Sequence, residues 1–178
     1  MQRGLLLDRD GVVNVDHGYV GRRERFEFLP GLFPFLRAAE DLGFHLAILT
    51  NQEGVARGKY GEADFHTLTA WMLGELRREG IAVDLVLACF EHNQGTVAPY
   101  VRESFWRKPN PGMVLETVQR LRLDPTQSFF LGDKPSDMEA AKAGGIRHRL
   151  LLDSSAHPTE DYIVVRSFDE AFDQLRKA

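Results

Sequence analysis

Residues 4–11 have the sequence GLLLDRDG, and this stretch decides the fold. Three consecutive leucines followed by a polar turn are typical of a strand that is buried on both faces, as in a parallel sheet covered by helices. Residues 44–50 (FHLAILT) and 128–133 (SFFLGD) repeat the pattern, since each is a short apolar run with a polar end. The carboxyl ends of parallel strands meet at one edge of a sheet, so these polar ends are expected to lie together.

Strand and helix patterns alternate along the rest of the chain. The sequence predicts strands at 4–7, 44–50, 84–90, 128–133, 149–153 and 163–166, and helices at 31–42, 62–79, 111–121, 136–144 and 167–177. This alternation predicts an α/β fold, a three-layer sandwich with a mostly parallel, Rossmann-like sheet. A polar stretch with Gly and Pro, residues 91–112, is longer than an ordinary connection between elements.

Composition limits the classes of function. The chain has 178 residues, of which 43% are hydrophobic and 27% charged, which predicts a single domain over residues 1–178 with a substantial core. No apolar run approaches the ~20 residues that cross a bilayer, and the single cysteine, Cys89, suits the reducing cytoplasm. A net charge of −4 without a basic stripe or a basic amphipathic helix argues against nucleic-acid and membrane partners.

The two carboxylates after the first strand are the first candidates for chemistry. Asp8 directly follows the leucines and Asp10 lies two residues on. A carboxylate at such a strand end can attack an electrophile, while the second can transfer a proton. The alternative is a turn in which Asp and Gly only satisfy backbone groups. A calcium loop would need further Asp or Asn ligands and a closing Glu, which this segment lacks.

Two later segments carry groups that can hold an anion. Thr50 and Asn51 end the second strand with a hydroxyl and an amide, which can donate hydrogen bonds to anionic oxygens or merely form a turn. Arg107 and Lys108 precede two prolines in RKPNPGM. A lysine there can neutralise a phosphoryl group and an arginine can bind another part of a phosphorylated substrate, although an isolated pair is usually surface charge.

The segment LGDKPSD supplies two further carboxylates. Asp133 ends a strand and Asp137 lies near the start of the next helix. Carboxylate clusters suit Mg²⁺, which prefers oxygen ligands and retains water. Taken alone, Asp137 is more typical of a helix cap.

The order of these segments resembles the four motifs of the haloacid dehalogenase superfamily, over nearly the whole chain. The resemblance implies that Asp8 is the nucleophile and Asp10 the general acid and base. It implies that Thr50 and Lys108 stabilise the transferred phosphoryl group. Mg²⁺ would be held by Asp133 together with Asp8 and Asp10. Attack of a carboxylate on an anionic phosphate ester is repulsive, so a divalent cation and a lysine suit this chemistry.

Three stretches resemble one compact branch of that superfamily, the D-glycero-D-manno-heptose-1,7-bisphosphate phosphatases, which lack a large cap domain. These stretches are LLLDRDGVVNVDHGYV, LTNQEGVARGKY and RKPNPGM. The resemblance implies a minimal or absent cap, a sugar-phosphate substrate cleaved at its 7-phosphate, and an open monomer. The substrate pocket would include Asp16, His17, Gly18, Tyr19, Asn51, Gln52, Glu53 and Arg107. Arg57 is hypothesised to reach the second phosphate.

One segment departs from the pattern of the branch. Many relatives bind zinc through a Cys-x-His pair and a later Cys-x-Cys pair, whereas this chain has Cys89-Phe90-Glu91 and Ser104-Phe105-Trp106. One of four ligands remains, and structural zinc normally takes four. We therefore expect no structural zinc, and we expect the loop to be held by an apolar plug. The plug would consist of Phe90, Tyr100, Phe105 and Trp106.

Three other functions stay open from the sequence. The first is a phosphatase for histidinol phosphate or another small phosphate ester. The second is a mutase or phosphotransferase that uses the same intermediate, although no dedicated acceptor site is legible. The third is a catalytically silent ligand-binding protein with the same fold, which the presence of both Asp8 and Asp10 argues against.

Overall fold

The computed structural model describes residues 1–157 and 159–178. The strands are β1 (Arg3–Leu7), β2 (Phe44–Asn51), β3 (Val83–Cys89), β4 (Phe129–Gly132), β5 (His148–Leu152) and β6 (Ile163–Val165). The α-helices are α1 (Leu32–Asp41), α2 (Glu62–Arg78), α3 (Gly112–Arg120), α4 (Pro135–Ala143) and α5 (Phe168–Leu175). Each predicted element is present with its ends within two residues. Two short 3-10 helices, Arg23–Arg25 and Ala98–Tyr100, were not predicted.

The strands form one sheet in the order β3-β2-β1-β4-β5-β6, and every strand pair within the described residues is parallel. The predicted parallel sheet is therefore confirmed. β1 lies in the middle, where Leu7 is in register with Ile48 of β2 and with Leu131 of β4. From β1 the chain adds β2 and β3 on one side and then β4, β5 and β6 on the other. Such a switch in strand order opens a crevice beyond the carboxyl ends of the strands.

Helices cover both faces of the sheet. Leu5 and Leu7 point into a core formed with α1, α2 and α5. Leu6, between them, points into a second core formed with α3 and α4. Because successive side chains of a strand face opposite sides, three leucines in a row are the sequence consequence of this three-layer arrangement.

Two long segments lie beyond the carboxyl ends of the strands. Residues 8–31 connect β1 to α1 and residues 90–111 connect β3 to α3. Within the described part of the chain, neither builds a sheet or an α-helix of its own, as expected for a minimal cap. No helix in residues 1–157 or 159–178 is long and apolar enough to cross a membrane.

Candidate active site

An ion-paired lysine lies at the carboxyl ends of β1 and β4. Asp8 directly follows β1 and is buried. The Nζ of Lys108 lies 2.9 Å from Oδ1 of Asp8 and 2.7 Å from Oδ1 of Asp137, and it donates to the Leu49 carbonyl at 2.8 Å. Lys108 is itself 3% exposed. Three distant parts of the chain therefore meet at one buried ammonium group.

Burial and charge act in opposite directions on the lysine. Burial alone would lower the pKa of Lys108, but the nearby carboxylates of Asp137 and Asp8 outweigh it and raise the pKa above its ordinary value. The ammonium therefore keeps its proton at neutral pH. Burial raises the pKa of Asp8, the negative charge of Asp137 adds to this, and Lys108 offsets only part of the shift.

Asp133 brings a third carboxylate to the same place. One oxygen atom from each of Asp8, Asp133 and Asp137 lies within 4.8 Å of the others. Burial raises the pKa of Asp133 to about 6, with Lys134 opposing and Asp137 adding to the shift. The Oδ1 atom of Asp133 is buried and has no hydrogen-bond partner among the described residues. This orphaned oxygen and the crowded negative charge fit a hard divalent cation.

A glycine makes room for this carboxylate. Gly11 has φ +89°, and a Cβ atom there would lie 2.1 Å from Oδ2 of Asp133. Both the backbone conformation and the close approach exclude a side chain at this position. The glycine of the DRDG turn is therefore explained by the position of Asp133.

Asp137 has two functions in the structure. Its Oδ2 accepts hydrogen bonds from the main-chain N–H groups of Asp133 and Lys134 at 3.2 and 3.1 Å, as a cap at the start of α4. Its Oδ1 pairs with Lys108. The cap reading was therefore incomplete, because the spacing of four residues from Asp133 also directs this carboxylate towards the strand ends.

The carboxylate of Asp10 lies outside this cluster and is held by N–H donors. Nη2 of Arg9 is 2.9 and 3.1 Å from its two oxygens. Nδ2 of Asn14 donates to Oδ1 and Nε2 of Gln52 donates to Oδ2, each at 2.9 Å. The three carboxylates that lie together are therefore those of Asp8, Asp133 and Asp137, and the Asp10 carboxylate is not among them.

The polar end of β2 forms hydrogen bonds with Lys108 and, through Gln52, with Asp10. Thr50 is fully buried, and its Oγ1 accepts a hydrogen bond from Nε2 of Gln52 at 2.8 Å. Asn51 binds the main chain of Lys108 through both ends of its amide. Asn51 lines the cavity that lies above these groups, whereas the Thr50 hydroxyl is buried behind its wall.

A cavity of about 550 Å³ opens above these groups. Of the residues expected in the substrate pocket, those that line it are Asp16, Gly18, Tyr19, Asn51, Gln52, Glu53 and Arg107. His17 is not part of its wall and instead contacts Glu27, with Nε2 of the ring 3.2 Å from the carboxylate. Arg57 is also outside the wall, and its Nε lies 3.3 Å from Oε1 of Glu53.

Known proteins similar to this chain identify its family. A family model described as HAD-hydrolase-like matches residues 105–178. The D-glycero-beta-D-manno-heptose-1,7-bisphosphate 7-phosphatase of Pasteurella multocida is 38% identical over 161 residues, 90% of this chain and 87% of that protein. The D-glycero-alpha-D-manno-heptose-1,7-bisphosphate 7-phosphatase of Burkholderia mallei is 43% identical over 168 residues, 93% and 89% of the two chains. This chain belongs to the haloacid dehalogenase (HAD) phosphatases.

A solved structure agrees with this assignment. The D,D-heptose 1,7-bisphosphate phosphatase of B. bronchiseptica, complexed with magnesium and phosphate, is 25% identical. It matches with a TM-score of 0.85 over 98% of each chain. The chain described here is accordingly a phosphoric monoester hydrolase, and its fold class is the one expected for the HAD family.

Two residues of the cavity wall in this HAD phosphatase were not predicted from the sequence. Tyr60 and Lys134 both line the cavity. The Tyr60 hydroxyl donates to Oε1 of Gln52, and Nζ of Lys134 lies 3.3 Å from Oδ2 of Asp16. The sequence position of Lys134 could have indicated its place in the cavity, because Lys134 comes directly after Asp133 at the end of β4. Tyr60 had no such signal, because it lies nine residues beyond β2.

The loop of this phosphatase that departs from its relatives is held mainly by polar contacts. The thiol of Cys89 lies 3.3 Å from Oε2 of Glu91, and Arg102 pairs with the other oxygen of Glu91 at 2.7 Å. His92 accepts the N–H of Gln94 at Nδ1, and its Nε2 lies 3.1 Å from Oε2 of Glu53. Burial raises the pKa of the Cys89 thiol to about 11, so it stays protonated at neutral pH.

The expected aromatic plug is wrong in part. Phe90 and Tyr100 do pack together, with ring centroids 6.4 Å apart, beside a small core that includes Phe65. Phe105 is 61% exposed, however, and Trp106 packs on the separate core of α3 and α4. Residues 105 and 106 lie in a turn, and the composition of the loop did not reveal which of the two rings is buried.

Proposed function

We propose that this phosphatase hydrolyses the 7-phosphate of D-glycero-D-manno-heptose 1,7-bisphosphate with Mg²⁺, through an aspartyl-phosphate intermediate. The observation that carries the proposal is the contact of 2.9 Å between the buried Asp8 carboxylate and the Lys108 ammonium, at the base of the cavity. The names of the relatives supply the substrate class.

The carboxylates of Asp8 and Asp133 would hold the metal ion, with the main-chain carbonyl of Asp10 as the third protein ligand. Asp137 would remain with Lys108. When bound, Mg²⁺ supplies positive charge that reduces the repulsion between the nucleophile and the phosphate oxygens. The orphaned Oδ1 of Asp133 supports this assignment.

In the first step, a carboxylate oxygen of Asp8 forms a bond to phosphorus while the bond from phosphorus to the sugar oxygen breaks. Asp10 gives a proton to that departing oxygen. Lys108 and the Thr50 hydroxyl donate hydrogen bonds to the phosphoryl oxygens, where negative charge develops. In the second step, Asp10 removes a proton from the water that attacks phosphorus, which releases phosphate and restores Asp8.

Two arginines that share Glu53 are proposed to receive the second phosphate. Arg57 and Arg107 both bind Glu53, with Nη2 of Arg107 2.5 Å from Oε2. His92 binds the same oxygen, and burial together with the charge of Arg107 lowers the pKa of this histidine. The relatives include phosphatases named for the alpha anomer and for the beta anomer. The anomer that this chain cleaves is therefore to be determined by experiment.

The test is magnesium-dependent phosphate release from each anomer of the heptose bisphosphate, compared with histidinol phosphate. A preference for the bisphosphate is expected. A preference for histidinol phosphate would replace the proposed substrate, and no release from any ester would favour a silent ligand-binding protein. That residues 1–178 form a single domain, and that the enzyme is a cytoplasmic monomer, remain predictions.

A further inference from the structure

Arg9 is the largest fully buried side chain in the described part of the molecule, with 1% exposure. Burying a guanidinium group is unfavourable unless a carboxylate pairs with it. The carboxylate that pairs with Arg9 is Asp10, since Nη2 lies 2.9 and 3.1 Å from its two oxygens. The same nitrogen donates to the Val20 carbonyl at 2.6 Å, which fixes its position from the other side.

Two neutral amides complete the surroundings of the Asp10 carboxylate. Asn14 is fully buried, and its Nδ2 also donates to the Val15 carbonyl at 2.9 Å. Gln52 is 2% exposed, and its other end accepts from Tyr60. Each oxygen of Asp10 therefore faces Arg9 and one amide, and both amides are held in turn by other groups. This arrangement leaves the carboxylate little freedom to rotate.

We propose that Arg9 is a positioning residue, which holds the Asp10 carboxylate in the orientation required for proton transfer to the departing sugar oxygen. The inference rests on the proposed function, because it takes Asp10 as the general acid. Arg9 does not line the cavity, so it acts on the reaction through Asp10 and not through the substrate.

A purely structural function for Arg9 predicts a different outcome. Through Val20 the guanidinium also connects the turn after β1 to a later part of the same segment, and loss of that contact would disturb every step of the reaction alike. Loss of positioning affects only the steps that need Asp10. The leaving alcohol of a sugar phosphate needs a proton, whereas p-nitrophenolate leaves without one. The value of kcat/KM covers the steps up to departure of this leaving group.

The experiment compares kcat/KM for the heptose bisphosphate and for p-nitrophenyl phosphate in wild type, Arg9→Met, Asp10→Asn and the double variant. With Arg9→Met we expect a loss of about a hundredfold for the sugar phosphate and only a small loss for the aryl ester. Asp10→Asn is expected to show the same selectivity, and the double variant no further loss, since both changes remove one function. Arg37→Met, on the exposed surface beside Glu79, is the matched control and should change neither value.

Two results would overturn the inference: an equal loss for both esters with Arg9→Met, or multiplied losses in the double variant. Arg9→Lys covers the case in which Arg9→Met does not fold, because it keeps a buried cation with a single donor group. With Arg9→Lys, the loss of kcat/KM should again be larger for the sugar phosphate than for the aryl ester. An equal loss for both esters would contradict the inference. Absence of activity in the wild type would instead overturn the proposed function itself.

Discussion

Asn51 binds both main-chain polar groups of Lys108. Its Nδ2 donates to the Lys108 carbonyl and its Oδ1 accepts the Lys108 N–H, each at 3.0 Å. A side chain at the end of β2 thus fixes the backbone of a residue 57 positions away. Since Nζ of Lys108 contacts the carboxylates of both Asp8 and Asp137, an error in its backbone position would move the ammonium away from them.

Asn51→Ala is predicted to lower kcat by about ten- to a hundredfold, because two buried main-chain groups lose their partners at a cost of about 1–3 kcal/mol each. Steady-state kinetics with p-nitrophenyl phosphate and Mg²⁺ would measure it. Asn51→Asp keeps the acceptor but places a carboxylate oxygen against the Lys108 carbonyl, so its loss should be at least as large. A normal kcat with Asn51→Ala would contradict the anchoring function.

Asp8→Asn is predicted to abolish turnover without loss of stability. The pKa of Asp8 is raised by burial and by Asp137, which means that its charged form is disfavoured in the folded protein. At neutral pH and without metal, a neutral amide of the same shape should therefore give an equal or higher Tm. Thermal unfolding and phosphate release measured on the same sample test this, and near-normal phosphate release would refute the nucleophile assignment.

The stabilisation that Mg²⁺ gives is predicted to depend on pH. Burial raises the pKa of Asp133 to about 6, so the folded protein binds this proton more tightly than the unfolded chain does. Without metal, this group therefore favours the folded state below about pH 6, and that contribution is lost as the pH rises through 6. Mg²⁺ competes with the proton, so its effect on Tm should be full at about pH 8 and should shrink through pH 6.

The measurement is thermal unfolding with and without Mg²⁺ across this pH range. At a concentration of 100 times Kd, a ligand of the folded state contributes about 2.7 kcal/mol. Asp133→Asn should remove both the shift and its pH dependence. An unchanged Mg²⁺ effect in that variant would show that the ion binds elsewhere.

Arg107→Ala is predicted to raise KM for the bisphosphate more than for a sugar monophosphate, because its guanidinium lies at the cavity wall beside Glu53. Arg57→Ala tests the second arginine, which binds the same carboxylate from outside the wall. An unchanged KM for the bisphosphate with Arg57→Ala would count against the contact of Arg57 with the second phosphate.

Elemental analysis of the purified protein is predicted to find less than stoichiometric zinc. Structural zinc normally takes four protein ligands, and of the two ligand pairs only Cys89 is present in this chain. The His92 ring is already placed between the N–H of Gln94 and Glu53. One zinc ion per chain would show that residues 89–107 rearrange around a metal.

The sequence predicted the sheet well because burial on both faces leaves a local signature. The run Leu5–Leu7 and its polar continuation indicated a central parallel strand and the position of the site. Asp8 and Asp133 were found for the same reason, since each directly follows a strand. The parts that failed depend on how individual loops fold back: Tyr60 reaches Gln52 across a turn, and His17 turns away to Glu27. No local pattern encodes those directions.

The central place of β1 also has a consequence for synthesis of the chain. Its neighbour on one side, β2, emerges from the ribosome soon afterwards, but its other neighbour, β4, begins only at Phe129. Until then Leu5–Leu7 lacks half of its main-chain partners, and Asp8 lacks Asp133. A nascent chain stopped before this point would expose an unfinished sheet edge and would be a natural client for chaperones.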